Sequence, residues 1–135
     1  MATDQMISTN PNPVLSDAHD LAACEEACAA AELSCVACAD ACLGESDLDH
    51  LKRCIRLGLD CADVCGATGR VMSRLLEPDP EVLRALLEAC ACACATCATE
   101  CLRHADEHLH CQLCADACLK CEEACEQVLA GLQPD

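Results

Sequence analysis

Small and apolar residues recur along most of this chain at the three- and four-residue spacing of an amphipathic helix. The pattern is clearest between Cys90 and Cys101, where cysteines follow at intervals of 4, 3 and 4 residues, and between Cys111 and Cys125, where the intervals are 3, 4, 3 and 4. With about 100° of rotation per residue, each set falls on one narrow stripe of a helix. Both segments are therefore predicted to be helices that carry cysteine where a bundle helix normally carries leucine.

Two further helices are predicted earlier in the chain. The first covers residues 17–43, with Ser16 as its N-cap and Gly44 placed to stop it. The second opens at residues 46–49, whose Ser-Asp-Leu-Asp sequence resembles a capping box, and it ends before Pro78. Both helices also place their cysteines on one face.

The third and fourth helices are the cysteine-rich pair. Asp79 is the predicted N-cap of the third helix and Pro80 its first residue, the position that proline prefers. The fourth helix is predicted to start near Glu107 or His108. Short links between the helices imply antiparallel neighbours in up-down-up-down order.

The predicted architecture is all-α, a four-helix bundle with a cysteine-lined core over residues 16–132. Residues 1–15 are polar and are expected to form an N-terminal tail or short lead-in, although their composition leaves a helical turn open. The motif CxxCADACL occurs at Cys35 and again at Cys111. Its acidic residue lies two positions after a cysteine and so on the far side of the helix, which predicts thiols inward and carboxylates outward.

Seventeen of the 18 cysteines lie on the four inward stripes, and Cys92 is the exception because it sits about 200° around the helix from Cys90. Residues four apart on a helix have Cβ atoms about 5–6 Å apart, whereas a disulfide needs about 3.8 Å. The C-x-x-x-C pairs are therefore expected to share metal ions rather than to form disulfides. The predicted thiol ligands are Cys24, Cys28, Cys35, Cys38, Cys42, Cys54, Cys61, Cys65, Cys90, Cys94, Cys97, Cys101, Cys111, Cys114, Cys118, Cys121 and Cys125.

The composition narrows the class of protein. The chain has 18 cysteines, no aromatic residue and a formal net charge of -16. An acidic surface without a basic patch argues against nucleic-acid binding.

The first residues show no signal peptide, twin-arginine signal or membrane-spanning run, so the expected compartment is the cytoplasm, where thiols stay reduced. A reduced, cysteine-rich core favours metal binding over a disulfide scaffold.

Thiolates bind Cu(I), Zn(II) and iron–sulfur clusters. The net charge that each metal leaves on a buried site distinguishes between them. A Cu(I) ion that displaces one thiol proton leaves its site neutral. A Zn(II) ion held by four thiolates leaves a net charge of about -2, and burying such charges costs several kcal/mol per ion. The interpretation is therefore a core that binds many Cu(I) ions per chain.

Three histidines, His104, His108 and His110, lie in the link between the third and fourth helices. In up-down-up-down order they fall at one end of the bundle, here called the histidine end, and we expect them to take part in metal binding and entry. The residues predicted at that end are Cys42, His50, Cys101, His104, His108, His110 and Cys111. The opposite end, here called the leucine end, is predicted to gather Leu21, Met72, Leu75, Leu76, Leu83, Leu86, Leu87, Leu129 and Leu132.

Four helices with C-x-x-x-C pairs, inward cysteines and no aromatic core resemble the bacterial copper storage proteins over residues 16–132. The resemblance implies a hollow four-helix bundle that binds many Cu(I) ions and assembles as a homotetramer. It is closest to the cytosolic type, because no twin-arginine signal is present. Family members also place Met or His at the open end of the bundle, and the three link histidines fit that place. Gly58 departs from the pattern, because some members are expected to have a polar ligand there.

Two other interpretations of the cysteine-lined core stay open. One is a helical, metallothionein-like protein that sequesters Zn(II) or Cd(II). The other is an iron–sulfur or redox protein, which would need one compact nest of four cysteines rather than thiols along the whole bundle. No catalytic Ser/His/Asp set or phosphate loop is found, so the sequence predicts binding and not enzymatic turnover. Expected partners are copper ions and copper donors or acceptors, with no nucleic acid and no membrane.

Overall fold

Four long helices form the bundle, and a short fifth helix precedes them. The computed structural model describes residues 2–11, 17–74 and 78–132. The helices are α1 (Ala2–Ser8), α2 (Ala18–Leu43), α3 (Leu48–Met72), α4 (Pro80–Leu102) and α5 (Leu109–Gly131). Helix α2 packs against α3 and α5, and α4 packs against the same two helices, while α1 lies against α2. This arrangement confirms the antiparallel up-down-up-down bundle.

Aspartate side chains cap the N-termini of α2 and α4. The Asp79 carboxylate accepts hydrogen bonds from the backbone N–H groups of Glu81 and Val82, at 2.9 and 3.0 Å, as predicted. The N-cap of α2 is Asp17, whose carboxylate accepts from the N–H of His19 at 2.8 Å. The helix therefore begins one residue later than predicted, and Ser16 lies outside the described residues.

The predicted capping box at the start of α3 does not form. Asp47, not Ser46, is the N-cap residue, and its side chain makes no capping hydrogen bond. Its Oδ2 instead lies 2.9 Å from Nε2 of His108, at the start of α5. The prediction was wrong because the helix starts one residue later than Ser46 requires, and Asp49, the expected partner in the box, pairs with Lys52 at 3.1 Å instead.

The core is built mainly from cysteine and alanine, and larger apolar side chains close the leucine end. Leu21, Met72, Leu83, Leu87 and Val128 are buried there, so Met72 fills the core. Among the other residues predicted at this end, Leu132 is buried, Leu86 and Leu129 are half-buried, and Leu75 and Leu76 lie outside the described residues.

The histidine end also holds one large apolar side chain. Leu51, in the first turn of α3, is fully buried. The histidine end is therefore lined by one apolar side chain as well as by the polar and metal-binding groups expected from the sequence.

Two glycines of α3 lie against α2. A Cβ at Gly58 would lie 3.5 Å from the carbonyl oxygen of Cys35, an ordinary contact distance. A Cβ at Gly66 would collide with the Glu32 carboxylate, at 2.5 Å from its Oε2. The Glu32 carboxylate is the end of a flexible side chain and can move, so close packing does not require glycine at either position.

By length and composition, α4 is apolar enough to cross a membrane, with a mean hydropathy of 1.5 in its most apolar window. Within the described ranges, it is the one helix that is long and apolar enough to do so. Its hydropathy comes largely from alanine and cysteine, and its cysteine stripe packs inside the bundle. A core helix of a bundle meets the same criterion, so this feature adds no evidence for a membrane protein.

Candidate metal centre

All 18 cysteines are free thiols, and 17 of them are buried. These 17 are the residues predicted from the inward stripes. Cys92 is exposed, so its side chain stands outside the core. Helical periodicity alone therefore identified which thiols face inward.

Neighbouring thiols form overlapping groups of four whose sulfurs all lie within 4.8 Å of one another. Cys90 and Cys121 each belong to two such groups, so adjacent groups share ligands instead of being separate. The four-thiol groups are Cys28/Cys90/Cys121/Cys125, Cys65/Cys90/Cys94/Cys121, Cys35/Cys97/Cys114/Cys118 and Cys38/Cys42/Cys54/Cys111.

The groups join into one continuous row of sulfurs along the bundle, here called the thiol ladder. It runs from Cys38 near the histidine end to Cys24 near the leucine end. Along it the Sγ–Sγ distances are 3.5 Å for Cys35–Cys118, 4.0 Å for Cys118–Cys61, 3.7 Å for Cys61–Cys65, 4.0 Å for Cys65–Cys121, 3.7 Å for Cys121–Cys28 and 3.8 Å for Cys125–Cys24. A thiophilic ion can thus pass between sulfurs without returning to water.

Cysteines four residues apart on one helix also have neighbouring sulfurs. The Sγ–Sγ distance is 3.7 Å for Cys61–Cys65 and 4.0 Å for Cys97–Cys101. A disulfide bond is about 2.05 Å long, so these pairs are spaced to share an ion and not to be bonded to each other, as the helical geometry predicted.

The core holds no positive side chain among the residues that the structure describes. The buried polar or charged residues there are Thr68 and Glu100. Thr68 satisfies its hydroxyl by donating to the carbonyl of Val64 at 2.7 Å. No Lys or Arg in those ranges therefore lies among the thiols to neutralise a negatively charged metal–thiolate centre.

The pKa values of Cys38 and Cys42, two thiols near the histidine end, are shifted in opposite directions. Hydrogen bonding from Cys101 lowers the pKa of Cys38 to about 6, with further lowering by Cys54 and an opposing contribution from Cys114. Burial raises the pKa of Cys42 to about 12. Since the thiolate is the metal ligand, a lowered pKa favours the metal-binding form of Cys38.

One ring nitrogen of His110 faces the thiol ladder. Its Nδ1 lies 3.3 Å from Sγ of Cys38, 3.7 Å from Sγ of Cys111 and 4.0 Å from Sγ of Cys42. Its Nε2 lies 2.8 Å from Oε2 of Glu45. Burial lowers the pKa of His110, but the hydrogen bonds with Cys38 and Glu45 outweigh it and raise the pKa.

His108 is held by two carboxylates. Its Nδ1 lies 3.0 Å from Oε2 of Glu45 and its Nε2 lies 2.9 Å from Oδ2 of Asp47. The hydrogen bond to Asp47 raises the pKa of His108 and lowers that of Asp47. His108 also stacks on His110, with ring centroids 5.3 Å apart.

His104 is paired with a buried carboxylate. Its Nε2 lies 2.8 Å from Oε2 of Glu100, one helical turn earlier on α4. The side chain of Glu100 is 8% exposed, and Oε1 also lies 3.7 Å from Arg53 and 3.5 Å from Arg103. The arginines and the imidazole supply the partners that a buried carboxylate requires.

The three predicted histidines thus come together at the histidine end, but each is held by acids that the sequence analysis did not select. Glu100 precedes His104 by four residues, the spacing at which side chains meet on a helix, so this pair had a sequence signal. Glu45 and Asp47 lie in the link after α2, and their contacts with α5 depend on the tertiary fold. His50, the other histidine expected at this end, is exposed.

Comparison with known proteins identifies relatives of the same size. A family model described as "Copper storage protein" matches residues 17–130. The match covers all four helices of the bundle and omits α1.

Solved structures include similar bundles. The copper storage protein Ccsp from Streptomyces lividans, loaded with 10 copper equivalents, is 47% identical with a TM-score of 0.93, over 96% of this chain and 98% of that one. A cytosolic copper storage protein from Streptomyces lividans with five coppers is 51% identical with a TM-score of 0.82, over 83% and 93% of the two chains. The Cu(I)-bound copper storage protein BsCsp3 of Bacillus subtilis is 39% identical with a TM-score of 0.70, over 78% and 93%.

Proposed function

Because this chain belongs to the copper storage protein family, we propose that it stores Cu(I), binding many ions per chain along the thiol ladder. The solved relatives are described as copper storage proteins, one loaded with 10 copper equivalents and one Cu(I)-bound. The activity is binding and release of a cargo ion, with no chemical turnover. A cytoplasmic location is proposed with it, since one of those relatives is described as cytosolic.

One observation carries the choice of metal: within the described ranges, 17 buried thiols have no buried cation among them. Metal ligands must be deprotonated, so each Cu(I) that replaces one thiol proton leaves the core neutral. Separate Zn(II) sites of four thiolates would each leave about two negative charges in a core without positive side chains. The sharing of Cys90 and Cys121 between groups also favours bridged ions over closed tetrahedral sites.

The proposed ligands are the 17 buried thiols, with His104, His108 and His110 at the histidine end. An ion that leaves water needs a replacement ligand at each step, because an unpaired charge in an apolar passage is costly. The histidine end supplies imidazoles and the Cys38 thiol, whereas the leucine end is closed by Leu21, Leu83 and Leu87. Copper is therefore proposed to enter and leave at the histidine end.

Competition between metals tests the proposed function. Reduced protein loaded with Cu(I) should keep its copper when a large excess of Zn(II) is added, and protein loaded with Zn(II) should exchange it for Cu(I), because soft thiolates prefer Cu(I). Metal analysis after desalting measures both results. Retention of Zn(II) against one equivalent of Cu(I) per thiol would support the metallothionein-like alternative instead. A brown, iron-containing protein would support the iron–sulfur alternative.

A homotetramer is proposed from the family resemblance. Large apolar side chains are exposed on all four helices of the bundle, including Leu33 at 72% on α2, Val82 at 60% on α4 and Leu113 at 58% on α5. Contacts between subunits would cover such residues. Sedimentation equilibrium of the reduced protein distinguishes this tetramer from a monomer.

A further inference from the structure

The acidic residues at the histidine end contact different histidines. Glu45 contacts both His108 and His110, whereas Asp47 contacts His108 and Glu100 contacts His104. His110 is the histidine of the three for which a contact with thiols is seen. We propose that Glu45 is a positioning residue for copper transfer: it holds His110 so that Nδ1 faces the thiols of Cys38, Cys42 and Cys111. This inference rests on the proposed function.

The hydrogen bond to Glu45 assigns the tautomer of His110. An ionised carboxylate can only accept, so at 2.8 Å the Nε2 atom of His110 must carry the proton and donate it. The neutral ring then has its lone pair on Nδ1, which lies 3.3 Å from Sγ of Cys38. A lone pair on Nδ1 can ligate an ion that arrives beside Cys38.

The backbone holds Glu45 beside the thiols, and its carboxylate therefore also fixes the orientation of the His110 ring. It follows Gly44, the C-cap residue of α2, and its backbone N–H donates to the carbonyl of Cys42 at 3.1 Å. The carboxylate therefore stands just beyond the end of the helix that carries Cys38 and Cys42. It joins this helix end to the start of α5, where His108 and His110 lie.

His108 serves as an internal comparison. Both of its ring nitrogens lie against carboxylates, at 3.0 Å from Glu45 and 2.9 Å from Asp47. It also stacks on His110, with the ring planes inclined by 22°. Glu45 thus anchors two stacked rings, of which one presents a free nitrogen to the thiols while the other is fully engaged at the rim.

A metal-binding imidazole commonly donates its other N–H to a carboxylate, and losing that partner typically costs 10- to 100-fold in metal affinity or activity. Without Glu45, His110 is free to adopt either tautomer and to turn Nδ1 away from Cys38. The first transfer of Cu(I) from the rim to the thiol ladder should then slow. The final capacity should not change, because the thiols are untouched.

The test compares Glu45→Ala and Glu45→Gln with the unchanged protein. Stopped-flow Cu(I) uptake should show the earliest phase slowed about 10-fold in Glu45→Ala. Glu45→Gln should recover most of the rate, since its amide oxygen can still accept from Nε2. Glu107→Gln is the matched control: it removes an exposed acid from the same end and should leave the rate unchanged.

A copper-free measurement tests the same point. Nitrogen-15 NMR of the reduced apo-protein, at a pH above the raised pKa of His110 so that the ring is neutral, should show the proton on Nε2, with both tautomers populated in Glu45→Ala. Protonation on Nδ1 in the unchanged protein would overturn the proposal. So would uptake by Glu45→Ala at the normal rate, equal slowing in Glu107→Gln, or no recovery in Glu45→Gln. If the unchanged protein itself binds only a few Cu(I) ions, storage is refuted, while the NMR result still decides whether Glu45 positions His110.

Discussion

Cu(I) uptake should slow markedly, with little loss of final capacity, when His104, His108 and His110 are all replaced by alanine. These side chains provide the imidazoles at the histidine end, and imidazole ligates copper while holding it less firmly than thiolate does. Their removal takes away intermediate ligands between water and the ladder but leaves all 17 buried thiols. Stopped-flow uptake, followed by copper analysis at saturation, separates the rate from the capacity.

The matched control for this variant is His19→Ala. His19 is exposed in the first turn of α2, at the leucine end, so its loss should not alter uptake. Circular dichroism of the triple variant is needed as well, because Glu100 loses its closest partner when His104 is removed. Unchanged uptake by a folded triple variant, with slower uptake when Leu83 and Leu87 are altered, would place the entrance at the leucine end.

Removing one four-thiol group should lower the capacity by a fixed number of ions. Cys35, Cys97, Cys114 and Cys118 lie within 4.8 Å of one another in the middle of the bundle. Serine is nearly isosteric with cysteine, but its hydroxyl is a poor ligand for Cu(I), which prefers soft sulfur. With one Cu(I) per thiol, replacing all four by serine should remove about four ions per chain, because each bound ion requires a deprotonated ligand.

Cys92→Ser is the control for the thiol count, because Cys92 is exposed and outside the ladder. It should leave the saturated copper content unchanged. A folded four-serine variant that still binds the full complement would show that this group is not a storage site. Loss of nearly all copper from such a variant would show that the ladder fills as one unit instead of group by group.

The helices and the inward thiols could be predicted from the sequence because both depend on local periodicity. Spacings of three and four residues placed Cys90 and Cys94 on one face, and the same arithmetic set Cys92 apart. The cap at Asp79 followed from local chemistry in the same way. Charge balance between thiol protons and Cu(I) then led from composition to the metal.

The acids at the histidine end depend on contacts between distant parts of the chain, which periodicity does not report. Asp47 had no assigned contact in the sequence analysis, and its hydrogen bond to His108 joins residues 61 positions apart. The residues predicted at the histidine end also omitted Leu51, whose burial depends on how α3 is rotated against its neighbours. Only Glu100, one helical turn from His104, had a local signal.

Titration of the reduced apo-protein with Cu(I), against a chelator of known affinity, tests the storage function most directly. Seventeen buried thiols with a balance of one ion per thiol predict tight binding of more than about ten Cu(I) per chain. The relative from Streptomyces lividans has been solved with 10 copper equivalents. Saturation at about four equivalents or fewer would contradict storage, because one four-thiol group would then account for all the copper bound.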